Sequence, residues 1–585
     1  MSRKPRKKRS RKPARRSFER IVIESEKRRI PIVLALANKI LEDINFVDMI
    51  NDTVKWDEKQ CKVTPGHLAK AVVLSTFFDM RASLSMIKER FSKTDTEFFF
   101  GEDIQKEDLN DYAVARALDK IAAAGPDLLF GKLCQHAYVV YRIAFQCMHA
   151  DTTSVSFYGD FDDDPKKMRE EYEKQLQIVQ GYNKDQRPGC NQIVLGKIVN
   201  EHGIPMYVQH MDGNTSDTEW NEKALSFVGN TYEEQLKDFI YVADSKLMNT
   251  NLFDTMTDRE HPIRFVSRCP ANFSKKLEER TIDEACTDAI DWSDLGVFGK
   301  GKKACSYKAK EYEKLVNGRK VRLIVLHTDA GEKRFLKKKD KLRDGLEQDI
   351  EKESKKLFAC EADVLEEWLR FCKKHKKTPY QCDMEAVESK REKRPRGNPG
   401  KNPKPPEIIS EWHLKIKIKG EDSEEMERFR RKEEHFVLIT NVDSDECDTK
   451  AIVGTYKNQS VIEIDFRYFK EPCIASVIYL KTPKRIHSMA VLLHVALLVR
   501  ALIQYKMRKT MSEQPGDSYP RVGRQGRKLQ KNITTRFVID ELSNQSFVEN
   551  ERGEYTLSVT DEFRFLQLNT FLKLLGFSVE ELIEY

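Results

Sequence analysis

At 585 residues the chain is long enough for two to four domains and a large core. Charged residues make up 34% and apolar residues 39%, a balance that fits a soluble globular protein with a highly charged surface. Twelve cysteines lie scattered with no CxxC pair or zinc-finger spacing, which excludes a disulfide-built secreted scaffold and points to a reducing, cytoplasmic compartment.

The net charge is only +8, but the basic residues are unevenly placed. Residues 1–16 (MSRKPRKKRSRKPARR) hold ten Lys/Arg and no acid. Such a tail, taken as residues 1–17, cannot bury anything and is expected to be disordered, available for counterion-releasing contact with nucleic acid. Residues 18–144 read as helical, with periodic apolar positions in 32–50, 67–91, 111–123 and 128–144, and suit a DNA-end-binding region or a plain bundle equally. From 145 the pattern turns to strands: 145–157 (FQCMHADTTSVSF), 191–199 and 205–209 as a hairpin around residues 200–203, a helix at 231–236, then the short apolar strand 239–242 ending at Asp244. Three adjacent strands, a helix and a fourth strand make the ribonuclease-H-like order, and 264–268 reads as a fifth strand.

Residues 271–430 differ in texture. Strands are expected at 320–327 and 412–418, a charged helix at 331–357, and a Pro- and Lys-rich loop at 390–406. This block reads as an insertion into a core that spans 145–270 and resumes over 431–508, beginning with a strand at 435–441. The apolar run 489–503, too short for a bilayer and broken by His494 and Arg500, reads as a core helix. A C-terminal region, 509–585, carries the basic stretch 521–531 and a helix at 563–575. The expected class is α/β: a ribonuclease-H-like mixed sheet flanked by helices, interrupted by a β-rich insertion, behind a helical N-terminal region.

The segment YKNQSVIEIDFRYFK, residues 456–470, is the most informative. On one helix, at ~100° per residue, Tyr456, Gln459, Glu463, Arg467 and Lys470 fall on a single polar stripe. Ile462, Phe466 and Phe469 flank one edge and Val461, Ile464 and Tyr468 the other. That pattern predicts a helix packed on two sides with a narrow chemical strip left open. Asp151, where a strand gives way to Thr-Thr-Ser, and Asp244, just past an apolar strand, supply two further carboxylates. Three converging acids are hard oxygen ligands suited to Mg²⁺ or Mn²⁺, and two such ions can activate the attacking oxygen and stabilise the leaving oxygen of a phosphodiester. His149 and His210, beside expected strands, read as structural or as supporting groups, and His202 as a turn residue.

These residues carry a family resemblance. The chain resembles bacterial and archaeal insertion-sequence DDE transposases of the group whose last acid lies in a Tyr-xx-Arg-xxx-Glu-xxxxxx-Lys helix. Tyr456, Glu463 and Lys470 match at the family spacings, and DTTSVSFYGD and VADSKL match around Asp151 and Asp244. GNTSD at 213–217 and YLKTPKRIHSMAVLLHVALLV at 479–499 are similar too. The family Arg is Gln459 here, and Arg467, one turn after Glu463, can supply the missing cation.

The resemblance implies metal ligation and catalysis by Asp151, Asp244 and Glu463, with two Mg²⁺ or Mn²⁺ ions. It also implies DNA contacts through Tyr456, Gln459, Arg467 and Lys470, and a cut-and-paste reaction on double-stranded DNA at the ends of an element. The partners implied are transposon ends, target DNA and a second copy of the chain on paired ends, with no membrane, in a cytoplasmic, nucleoid-associated setting. By analogy Trp292 in the insertion is placed to stack on a flipped base, or is simply a packed tryptophan. Two alternatives remain open at this level: a nuclease on the same scaffold without strand transfer, and a non-catalytic relative that only binds DNA.

Overall fold

The computed structural model describes residues 28–78, 84–157, 176–187, 189–299, 301, 304–376, 378–393, 407–470, 480–516, 519–559 and 561–583. The expected basic tail and most of the Pro/Lys-rich loop lie outside the described residues. The chain forms two compact units: residues 1–126, 472–480 and 488–585 in one, and 127–471 with 481–487 in the other.

The first unit is mainly helical. The helices Ile32–Asp43 and Pro65–Ser75 are buried nearly all round, Phe46–Thr53 and Asp111–Ala124 bury one apolar face each, and Thr64 and Asn110 cap Pro65–Ser75 and Asp111–Ala124 by accepting the N–H of His67 and Ala113. Strand β1 (Arg29–Pro31) pairs antiparallel with Ser546–Glu549, which pairs with Tyr555–Ser558, so the two ends of this unit are hydrogen-bonded together. One helix among the described residues, Pro483–Ser512, is long and apolar enough to cross a membrane, and 83% of that apolar window is buried.

The second unit is built on a mixed sheet of ten strands. In chain order they are β2 (Cys147–Phe157), β3 (Val179–Gln180), β4 (Asn191–Asn200), β5 (Pro205–Asp212), β6 (Ile240–Ala243), β7 (Phe265–Arg268), β8 (Ser293–Phe298), β9 (Cys305–Val316) and β10 (Arg319–Thr328). A separate hairpin, β11 (Tyr380–Lys393) with β12 (Glu407–Glu421), precedes β13 (His435–Thr440), the tenth strand of the sheet. Its first half runs β5-β4-β2-β6-β7: β2 is antiparallel to β4 and β4 to β5, while β2–β6 and β6–β7 are parallel. Strand β13 follows on β7, then β10, β9 and β8, all antiparallel.

Alternation along β2 assigns the two faces. Met148 and Ala150 join Tyr241, Ala243, Leu323 and Val325 in a core covered by the helices Asp217–Thr231, Thr250–Thr257 and Leu277–Thr287. On the opposite face Ile240, Val242, Val266, Ile324, Leu326 and Leu438 meet Ile452 and Val453 of the helix Thr449–Lys457, with Tyr456 packed beside them.

The structure differs from the sequence expectations in four places. The segment 271–430 is mixed: three of its strands extend the main sheet, and it carries the helices Asp329–Ser354, Glu361–Lys374 and Ser423–Glu434 besides Leu277–Thr287. Residues 390–393, expected in a loop, are the end of β11. The helix expected at 231–236 is instead Asp217–Thr231 followed by one 3₁₀ turn, Glu233–Gln235. Residues 456–470 are two helices, Thr449–Lys457 and Ser460–Phe469, joined through Asn458 and Gln459. In that joint Gln459 N–H donates to Tyr456 O and Ile462 N–H to Gln459 O, the tighter i→i+3 pattern, so the stripe is rotated at its middle.

Candidate functional site: an acidic cluster on the central sheet

The parallel register of β2 and β6 runs up to two of the expected acids, Asp151 still within β2 and Asp244 immediately past the end of β6. His149 of β2 pairs with Val242 of β6, and Asp151 and Asp244 each follow two residues later. Asp151 is half-buried, and the Thr152 N–H donates to its Oδ1 at 2.7 Å. Burial pushes its carboxyl up to about 6; the Asp244 and Asp217 charges add to the rise, and Lys184 opposes it. Asp244 caps the 3₁₀ turn Ser245–Leu247 by accepting the Lys246 N–H at 3.0 Å, and burial raises its carboxyl as well.

Glu463 arrives on the Ser460–Phe469 helix, which packs on β2 and β4. Its side chain is exposed. Tyr456 reports the convergence: burial raises its hydroxyl, Arg268 opposes the rise, and Asp244, Glu463 and Asp151 all add to it. The three acids do not close to direct contact: among the described residues, the His, Asp and Glu group whose ligand atoms all lie within 4.8 Å of one another is Asp127, His210 and His487.

A buried ion pair holds the Glu463 helix in place. Lys197 stands directly opposite Asp151 in the β2–β4 register, fully buried, and its Nζ pairs with the Asp465 carboxylate two residues after Glu463. Ile462, Phe466 and Phe469 are buried, whereas Ile464 is exposed and Val461 and Tyr468 are half-buried. The helix thus packs on one side rather than two, and what looked like an apolar second edge lies open.

The expected DNA-contacting residues have different surroundings. Lys470 Nζ sits 2.8 Å from both carboxylate oxygens of Asp185. Arg467 is exposed at the end of its helix, and Gln459, at the joint, makes no side-chain cap. Asp185 belongs to the segment 181–187, which lies along β2 through Asn183 to Ser156 Oγ at 2.8 Å and Lys184 N–H to Ser154 Oγ at 2.8 Å. From there Lys184 Nζ reaches Thr152 O at 3.1 Å and Asp217 Oδ1 at 3.1 Å. A cation of the chain itself thus stands among the acids.

Asp217 was not singled out as a site residue from sequence, yet it joins this cluster. It accepts from Thr152 Oγ1 at 2.6 Å, and although burial raises its carboxyl, the Thr152 hydroxyl and Lys184 outweigh burial and leave it below its ordinary range. The signal was present in GNTSD: Ser216 Oγ accepts the Glu219 N–H at 3.2 Å, so a Ser-x-x-Glu helix start delivers Asp217 at the sheet end. Trp292 is half-buried between His327, at 6.0 Å, and His435, at 5.4 Å, with Lys310 Nζ 5.0 Å from its ring centre.

His149 is fully buried, and among the described residues neither ring nitrogen has a hydrogen-bond partner. Burial pushes it down to about 4 from 6.5. A histidine with a lowered folded pKa stabilises above the unfolded value and loses that contribution as pH falls. In chelated protein, stability is therefore expected to fall from pH 6.5 toward about 4, by on the order of 3 kcal/mol from this group. Asp151 works in the opposite sense: its raised carboxyl takes up a proton in the folded state first, so stability is gained as pH falls from about 6 toward 3.8. Urea midpoints between pH 7.5 and 4.5 check both signs. His149→Leu should flatten the loss and Asp151→Asn should steepen it; an unchanged slope in His149→Leu refutes the assignment.

Comparison with known proteins adds the following. The family model described as a domain of unknown function (DUF4277) matches residues 28–135, which include none of the acids. No curated protein matches the chain. Among solved structures the chain is similar to a piggyBac transposase synaptic complex with hairpin DNA, determined by cryo-electron microscopy. The match is at 10% identity and a TM-score of 0.35, over 94% of this chain and 87% of that one.

Proposed function

We propose that the chain is a DNA transposase of the DDE type, which binds the terminal inverted repeats of an insertion sequence and catalyses strand cleavage and strand transfer. The observation that supports this reading is that Asp151 on β2 and Asp244, just past the end of β6, each follow by two residues the last registered pair of these parallel strands, His149 and Val242, with the helix that carries Glu463 packed on β2. The order β5-β4-β2-β6-β7, with its antiparallel and parallel senses, supports a ribonuclease-H-like core.

The donor set fits hard divalent cations. Asp151, Asp244 and Glu463 offer only carboxylate oxygens, and the crowding of Asp151, Asp217 and Asp244 is a cost that a dication would offset. Mg²⁺ or Mn²⁺, two ions in this reading, would supply Lewis-acid activation of the attacking oxygen and charge neutralisation at the leaving oxygen. Asp151 must be deprotonated to serve, and Lys184 opposes the burial that works against this. Tyr456, Gln459, Arg467 and Lys470 grip the phosphates flanking the scissile bond. For Lys470 this means exchanging Asp185, and a part-exposed ion pair of that kind is worth only about 0–1 kcal/mol. Hydrolysis frees a 3′-OH at the element end; its oxygen then attacks the phosphorus of a second phosphodiester, and as the new P–O bond forms the bond to that diester's own 3′-oxygen breaks, releasing a 3′-OH. Two chains on paired ends complete the assembly.

The test combines the purified full chain, duplex DNA carrying the terminal repeats that flank its gene, and Mg²⁺. The expected result is a nick at the repeat boundary followed by joined product. Bound ends with neither nick nor joint would sink the enzyme reading, and nicks without joints would favour a nuclease on the same scaffold.

A further inference from the structure

A second cluster lies within the same unit, apart from the acids. Asp127 is in the first turn of the helix Pro126–Val140, His210 is on β5, and His487 is in the first turn of the helix Pro483–Ser512. All three ligand atoms lie within 4.8 Å of one another. His210 Nδ1 is 2.7 Å and His487 Nε2 is 2.9 Å from the same oxygen, Asp127 Oδ1. The two rings are tilted at 54° with centres 4.9 Å apart, so the nitrogens approach the carboxylate from different directions and the rings do not stack. The His210 N–H donates to the other oxygen, Oδ2, at 3.0 Å and fixes the carboxylate plane. The His210 side chain is fully buried, while Asp127 and His487 keep 22% and 20% of theirs exposed.

A carboxylate oxygen such as Asp127 Oδ1 has two lone pairs to offer. Here two imidazoles, brought from residues 210 and 487, converge on it, while a backbone amide orients its partner oxygen. That is the layout of a first ligand shell with its outer support. Two nitrogens and one oxygen match zinc, cobalt or nickel, whereas magnesium takes oxygen ligands. The open side at Asp127 and His487 leaves room for a water as fourth ligand.

We propose that Asp127, His210 and His487 bind one divalent transition-metal ion of the zinc class, as a site separate from the acidic cluster. In the metal-free form each neutral imidazole donates an N–H hydrogen bond to Asp127 Oδ1. On binding, that proton moves to the other ring nitrogen and the freed lone pair takes the ion. Asp127 opens the second unit and His487 is its last residue, so the ion ties both ends of that unit to β5.

The test uses untagged full chain, stripped with chelator and titrated with Co²⁺ while visible d–d absorption is followed. In a large excess of Mg²⁺, which occupies the carboxylate cluster, about one Co²⁺ per chain is expected to give d–d absorption and to be displaced by Zn²⁺. Asp127→Asn, an isosteric change, and His487→Ala, at a part-exposed position, should each weaken binding by more than roughly tenfold. In the same Mg²⁺ background Asp151→Asn should keep the wild-type d–d absorption, which distinguishes this site from the proposed catalytic one. No d–d absorption in the wild type, or wild-type binding in both Asp127→Asn and His487→Ala, would overturn the proposal and leave a hydrogen-bonded triad.

Discussion

Asp151→Asn is expected to lower DNA cleavage at least roughly a hundredfold while leaving repeat binding and fold intact. Removing a group that merely supports a metal ligand costs about 10–100-fold, so a direct ligand should cost more. The substitution isolates charge from shape. Asn presents the same oxygen to the Thr152 N–H, and losing the negative charge relieves repulsion with Asp244 and Asp217. Any drop in activity therefore cannot be put down to unfolding. Asp244→Asn and Glu463→Gln should behave alike, the first retaining its cap on Lys246 and the second changing an exposed side chain. The measurement is cleavage of labelled repeat DNA under single-turnover conditions, beside a binding assay on the same substrate. Full cleavage by any of the three variants would remove that residue from the site.

Lys197→Met should destabilise the second unit by about 3–5 kcal/mol, the range for stranding one member of a buried ion pair. Lys197 has no exposed side-chain surface and Asp465 has 10%, so neither charge can turn to water. Asp465→Leu alone should cost a similar amount for the same reason. The double variant Lys197→Met/Asp465→Leu should recover most of the loss, since an apolar pair of similar volume avoids desolvating two charges. Urea midpoints of the four proteins give the coupling. Additive losses in the double variant would show that the two side chains act independently. Cleavage by the recovered double variant then tells whether the ion pair only stabilises or also aims Glu463.

The sheet was largely legible. The strands β2, β4, β5, β6, β7, β10 and β13 follow runs of β-branched and aromatic residues that period and length identify. Strand β9 was not, because CSYKAKEYEKLV is rich in Ala, Lys and Glu and reads as helix; only the inward Cys305, Tyr307 and Ala309 show its alternation. The joint at Asn458–Gln459 was equally hidden, since both residues keep right-handed helical angles and no proline or glycine marks the break. Asp151 and Asp244 stood out because acids beside apolar strands are conspicuous. Asp465 did not, for its partner lies 268 positions away and no local pattern couples them.

That separation also orders events in time. A ribosome adding roughly 5–20 residues per second needs about 13–54 s to go from Lys197 to Asp465. Asp151 is already made when that interval starts and Asp244 is added early in it, but neither Glu463 nor the counter-ion for Lys197 exists until its end. A polypeptide released early from a broken message would lack the third acid and keep an unpaired cation in the sheet.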